Sequence, residues 1–234
     1  SRIGIPGFYW WGESAKRLVG CAVSDPERPQ IGPVVELPAP AKGFWQTCGA
    51  AATAADRVFV SRRVFADWGV VVPMGKPGLP VYAPQHWLDV ADFSEVSNPV
   101  LAAPVNIPGE LVGTADEGAL IFSISEGFRS EKGEYKGTTL QASSFDGKVA
   151  GLLGVASVPG ASAARVAQVG PRRFVVACGP DEASGAGLLV KLRWNGSGWE
   201  RVREVPVDPG ITSLRSFGNK LGAAWGWPSA VGLF

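Results

Sequence analysis

The chain has 234 residues, 46% of them apolar, with 22 Lys and Arg against 21 Asp and Glu and a single histidine. That hydrophobicity and near-neutral charge exclude a disordered polyelectrolyte. They also exclude a nucleic-acid-coating protein and a polybasic membrane binder, since both need a dense positive field. No apolar run reaches the roughly 18 to 20 residues of a membrane-spanning helix, and no basic-then-apolar signal segment follows Ser1. Residues 1–234 read as one domain or a portion of one, with the compartment open. Cys21, Cys48 and Cys178 form no CxxC pair, so zinc-finger and thioredoxin spacings are absent and at most one disulfide is possible. Cys178, within Phe174-Val175-Val176-Ala177-Cys178, reads as a small buried hydrophobe.

From the N-terminus, Phe8-Tyr9-Trp10-Trp11 reads as a strand, with further strands at 16–24 and 30–37. The Ala-rich stretch 49–56 has the only helix-like composition, but it is short and lacks caps. Val58-Phe59-Val60 opens a run of strand signals. It is interrupted at 68–85 by an insertion holding Pro73, Pro77, Pro80 and Pro84, which cannot be regular structure. Beyond it, Ile107-Pro108-Gly109, Val158-Pro159-Gly160 and Asp208-Pro209-Gly210 recur about fifty residues apart, with Leu37-Pro38 as a weaker copy.

The same order of features follows each Pro-Gly. A mixed strand comes first (110–116, 163–169, 211–217), then an apolar strand (119–124, 173–178, 221–227). A third strand ends in a polar turn (86–93, 138–145, 188–194), and a fourth leads back to Pro-Gly (100–107, 149–158, 199–207). Strands apolar on both alternating faces need cover on both sides. A four-stranded unit of this length is the size of a β-propeller blade, whereas a β-sandwich has no reason to repeat at fifty residues. The fourth strand would be the outer edge and should carry charge to resist edge pairing, as Trp199-Glu200-Arg201-Val202-Arg203-Glu204 does.

Trp87-Leu88-Asp89-Val90-Ala91-Asp92-Phe93-Ser94, then Asn98-Pro99-Val100-Leu101, then Ile107-Pro108-Gly109, resembles the bacterial and archaeal propeller repeats of LVIVD type. The match is good over 86–125, partial over 138–227 and poor before 57. The chain is also similar to propeller domains of secreted bacterial proteins, which leans toward an extracellular or periplasmic setting. The resemblance implies an all-β propeller of about four blades from this chain, with the strand after Pro-Gly facing a central channel. The N-terminus would supply second, third and fourth strands of a blade and the C-terminus a first and second. These ends either combine into one blade or belong to a larger ring whose remaining blades come from elsewhere.

Chemistry is sparse. His86 is the only candidate base, no serine lies in a G-x-S-x-G elbow, and no D-x-D-x-D-G calcium loop occurs. Asp116-Glu117 and Asp181-Glu182 read as solvated turns. No catalytic residue, metal or cofactor is assigned. Two binding hypotheses survive. Arg165 and Arg215 fall six residues after their Pro-Gly prolines, with Thr114 and Gln46 at comparable positions. On channel-lining strands they would converge at its mouth and hold a carboxylate, or else pair with an acid of a neighbouring blade. Nine tryptophans are the second feature. Trp194-Asn195-Gly196-Ser197-Gly198-Trp199 is similar to hairpins of propeller lectins and also suits a generic Asn-Gly hairpin, and with Trp87 it forms an aromatic candidate. The sequence therefore points to a non-catalytic scaffold for a protein partner, docking at the channel mouth or the 68–85 insertion. A carbohydrate-binding propeller is the alternative, and a hydrolase domain completed by another chain the third.

Overall fold

A computed structural model describes residues 16–22, 27–28, 30–40, 44–66, 85–125, 128–129, 135–179, 185–217, 220–226 and 229–233. The expectations for 8–11, for 68–84 and for Asp181-Glu182 lie outside them. The described chain is all-β, built from antiparallel sheets in which sequence neighbours pair.

Sheet I is the pair β1 (Arg17–Ala22) and β2 (Gln30–Glu36). Sheet II orders β3 (Phe44–Ala54), β4 (Arg57–Ala66) and β5 (Gln85–Asp92), with β6 (Val100–Leu101) and β7 (Val105–Ile107) both on the far side of β5. Sheet III runs β8 (Glu110–Ala115), β9 (Leu120–Ser125), β12 (Thr139–Phe145), β13 (Ala150–Ser157). The short hairpin of β10 (Phe128–Arg129) and β11 (Tyr135–Lys136) lies between β9 and β12 in the chain. Sheet IV runs β14 (Val166–Gly170), β15 (Arg173–Cys178), β16 (Gly187–Trp194), β17 (Trp199–Val207). Sheet V holds β18 (Ile211–Phe217), β19 (Lys220–Gly226) and β20 (Ser229–Leu233).

Alternation explains the layering. In β9, Ile121 faces a core with Phe59, Leu88, Val90 and Leu111 of sheets II and III, while Phe122 and Ile124 face Phe174, Val176, Val190 and Leu192 of sheet IV. Sheet IV repeats the device, turning Ala167, Ala177 and Leu189 toward Ile211, Leu214, Leu221 and Ala223 of sheet V. Successive side chains point to opposite faces, so a strand apolar at every position holds two cores at once. Phe122 and Phe174 are fully buried with ring centroids 4.7 Å apart; burying one such side chain contributes about 1.5–3 kcal/mol. The first strands lie side by side, β3 on β8, β8 on β14 and β14 on β18, and the last strands likewise, β7 by β13 and β13 by β17. This stacking is compatible with a propeller-like arrangement.

Three expectations are corrected, and one open stretch is settled. The stretch 100–107 is two strands, because Pro104 brings no N–H to the ladder and the chain leaves β5 between them. Residues 163–165 form a single 3-10 turn ahead of β14. The Ala-rich stretch 49–56 is the end of β3 and its turn, since cross-strand pairing with β4 outweighs Ala's weak helix preference. The C-terminus supplies a third strand, β20, beyond the first and second expected.

In two of its three copies the Pro-Gly motif has a backbone reason. Gly160 and Gly210 have φ of 66° and 97°, a region that side chains other than glycine rarely adopt.

Candidate functional site

The four positions aligned across the repeats fall in or just before four different sheets. Gln46, only 1% exposed, accepts from Arg62 Nη1 at 3.0 Å and donates to the Pro38 carbonyl at 3.2 Å. Thr114 is buried, and its carbonyl accepts from Gln168 of sheet IV at 2.7 Å. Arg165 sits in the 3-10 turn and donates to the Gly160 carbonyl at 2.7 Å. Arg215, exposed on β18, donates to the neighbouring Leu214 carbonyl at 3.1 Å. Among the described residues, neither arginine makes an ion pair and no bond joins the four.

Arg62 forms a buried pair that the sequence reading passed over. Its Nε and Nη2 both bind the Asp89 carboxylate, the second at 3.0 Å, and the side chains are 5% and 0% exposed. Registers Gln46↔Val64, Cys48↔Arg62 and Val60↔Asp89 put Gln46, Arg62 and Asp89 on the face of sheet II turned away from sheet III. Removing one partner would strand a buried charge, at a cost of about 3–5 kcal/mol. The signal was available: a charge inside a strand apolar on both sides must be paired. Asp89 is thus committed to structure.

The tryptophan hairpin is a packing device. Trp194 is 2% exposed, and Trp199 meets Phe122, Phe174 and Trp194 edge-on at 5.7, 5.8 and 5.5 Å. A Cβ on Gly154 of sheet III would lie 2.7 Å from Cζ3 of Trp194, and the Trp199 indole N–H reaches the Gly154 carbonyl at 3.4 Å. The Trp194 ring therefore has no face to offer a sugar. Trp87, half-buried on β5 opposite Arg62, lies in another sheet. The turn itself is as expected: Asn195 Oδ1 accepts from the N–H groups of Ser197 and Gly198, each at 2.9 Å.

Chemical groups are subdued elsewhere. His86 is 8% exposed and its carbonyl accepts from Asn106. All three cysteines are free, and burial pushes the Cys48 and Cys178 thiols up, away from the reactive thiolate. Among the described residues no cluster of three metal-ligating side chains forms, and no helix is long and apolar enough to cross a membrane.

Two exposed features stand out. Strand β13, the outer edge of sheet III, has no charged residue and, with the residue before it, exposes Val149, Leu152, Leu153 and Val155 by 62, 57, 47 and 50%. In sheet I, Val35 and Leu37 are buried, while Val19, Ile31 and Val34 are exposed with Cys21 on the opposite face, where Val19 pairs with Val34 and Cys21 with Ile31. Searches against protein-family models and against curated proteins find no match to this chain.

Proposed function

We propose that the chain is a β-propeller, or several blades of one, built from LVIVD-type repeats and acting as a non-catalytic scaffold that binds a protein by strand addition to β13. The observation that carries the reading is the chemistry of that edge. An exposed edge presents unpaired backbone donors and acceptors, and proteins commonly protect it with charge. β17 follows that rule with Glu200, Arg201, Arg203 and Glu204, and β13 breaks it. Strand addition draws affinity from main-chain bonds and specificity from alternate side chains. An uncharged, apolar extended segment is therefore the partner that β13 suits. The exposed apolar face of sheet I supports a further sheet there, from the chain's own end or another polypeptide, because an apolar face of this kind favours cover.

The test is fluorescence anisotropy with a labelled peptide of residues 149–156, an uncharged strand-forming probe. Saturable binding lost in Leu153→Lys and kept in Val202→Lys is expected. No binding, or binding indifferent to Leu153→Lys, overturns the reading.

A further inference from the structure

We propose that the turn between β14 and β15 forms, with the end of β16, a binding site for a tetrahedral oxyanion such as a phosphate group. A depression of about 410 Å³ opens there, lined by Gly170, Pro171, Arg172, Arg173, Arg193 and Trp194. Three guanidinium groups border it and two are neutralised. Arg172 is bound to Asp116 of the β8–β9 turn. Arg193 binds Glu200 Oε2 through Nε at 3.0 Å and Nη2 at 2.5 Å, and Asn195 holds the other Glu200 oxygen at 2.6 Å. Arg173 is exposed, with no ion pair or side-chain hydrogen bond among the described residues.

The register sets a second guanidinium beside Arg173. Arg173 lies directly across from Arg193 in the antiparallel pair, so their Cβ atoms are about 5 Å apart, and Glu200 balances only one of the two charges. A single anion beside both groups would balance the other. Glu200 occupies Nε and Nη2 of Arg193 and leaves its Nη1, and a phosphate or sulfate group, with more oxygens than a carboxylate, can accept from that edge and from the Arg173 fork at once. The turn is held in place: the Pro171 carbonyl accepts from Gln168 at 3.0 Å and the Arg172 carbonyl from the Trp194 N–H at 2.9 Å. An anion would meet a fixed backbone and two guanidinium groups, Arg172 and Arg193, already held by Asp116 and Glu200, which lowers the ordering cost of binding.

Independent of the scaffold reading, the site is tested with inorganic phosphate by calorimetric titration and by thermal melts in phosphate, acetate and chloride at equal ionic strength. Phosphate should bind saturably and acetate should behave like chloride. Arg173→Gln should weaken phosphate binding at least tenfold while melting in chloride no lower than the parent, since Arg173 has no ion pair or side-chain hydrogen bond among the described residues to lose. Phosphate also stabilises proteins by exclusion from their surface, so the gain that counts is the part Arg173→Gln abolishes. Arg173→Lys, which keeps the charge and loses the fork, serves as the second variant and should bind several-fold more weakly. Equal melts in phosphate and chloride, or unchanged binding in both variants, would overturn the proposal.

Discussion

Strands β13 and β17 occupy the same place in adjacent sheets and even share a defect. Each bulges once, at Leu153 and at Val202, forty-nine residues apart, where the partner strand runs on without interruption. A bulge sharpens twist and disturbs an edge, so the backbone treats both strands alike. Their outward chemistry differs: β17 carries four charges and β13 none. Packing dictates what faces inward and leaves the outer edge open. The chemistry of that edge is therefore where one sheet departs from the next, and on the proposed reading it is where a partner would be selected.

The largest expected effect comes from breaking the contact the two strands share. Trp199→Ala removes ring contacts with Phe122, Phe174 and Trp194 and should destabilise the chain by about 3–5 kcal/mol in urea unfolding. Gly154→Val attacks the same joint from β13, driving a side chain into Trp194 for about 1–3 kcal/mol. A loss under 1 kcal/mol from both would mean the tryptophans are not packed between sheets III and IV.

Exchanging the edges sharpens the comparison without touching the core. Replacing Arg201 and Arg203 together by Val should give β17 affinity for the 149–156 peptide and change stability by no more than about 0.5 kcal/mol. A variant that still ignores the peptide would show that charge is not what protects this edge.

The smallest effect is electrostatic. Asn195 and Arg193 hold the Glu200 carboxyl below its usual range, and backbone N–H groups of Lys148 and Val149 do the same for Asp146 in the turn before β13. A lowered folded-state value stabilises above the unfolded carboxylate range and is lost as pH falls through the folded one. Thermal melts should therefore fall below about pH 4.5, and Glu200→Gln should remove its share of that slope. A melting temperature flat down to pH 2.5 would show that these turns contribute nothing.

Much of the strand layout was legible because the fifty-residue repeat fixes phase as well as existence. β15, β17 and β18 begin and end where the pattern puts them, since Pro-Gly and Asn-Gly turns punctuate them locally. What the sequence left open was anything decided between sheets. The Trp194 hairpin is visible in six residues, while the glycine that receives it lies forty residues earlier on another sheet. Repeat alignment sets Gln46 among channel-lining positions without showing its partner. β3 is irregular between Cys48 and Ala51, and Gln46 turns to Arg62. The arginines of the β14–β15 turn were invisible as a group, since only the register sets Arg173 against Arg193.

The most direct test of the central claim is amide hydrogen exchange, strand by strand, with and without the 149–156 peptide. The account predicts strong protection of β8, β9, β12, β14, β15 and β16 in both states and new protection on binding confined to β13. New protection on β17, or none anywhere, would contradict it.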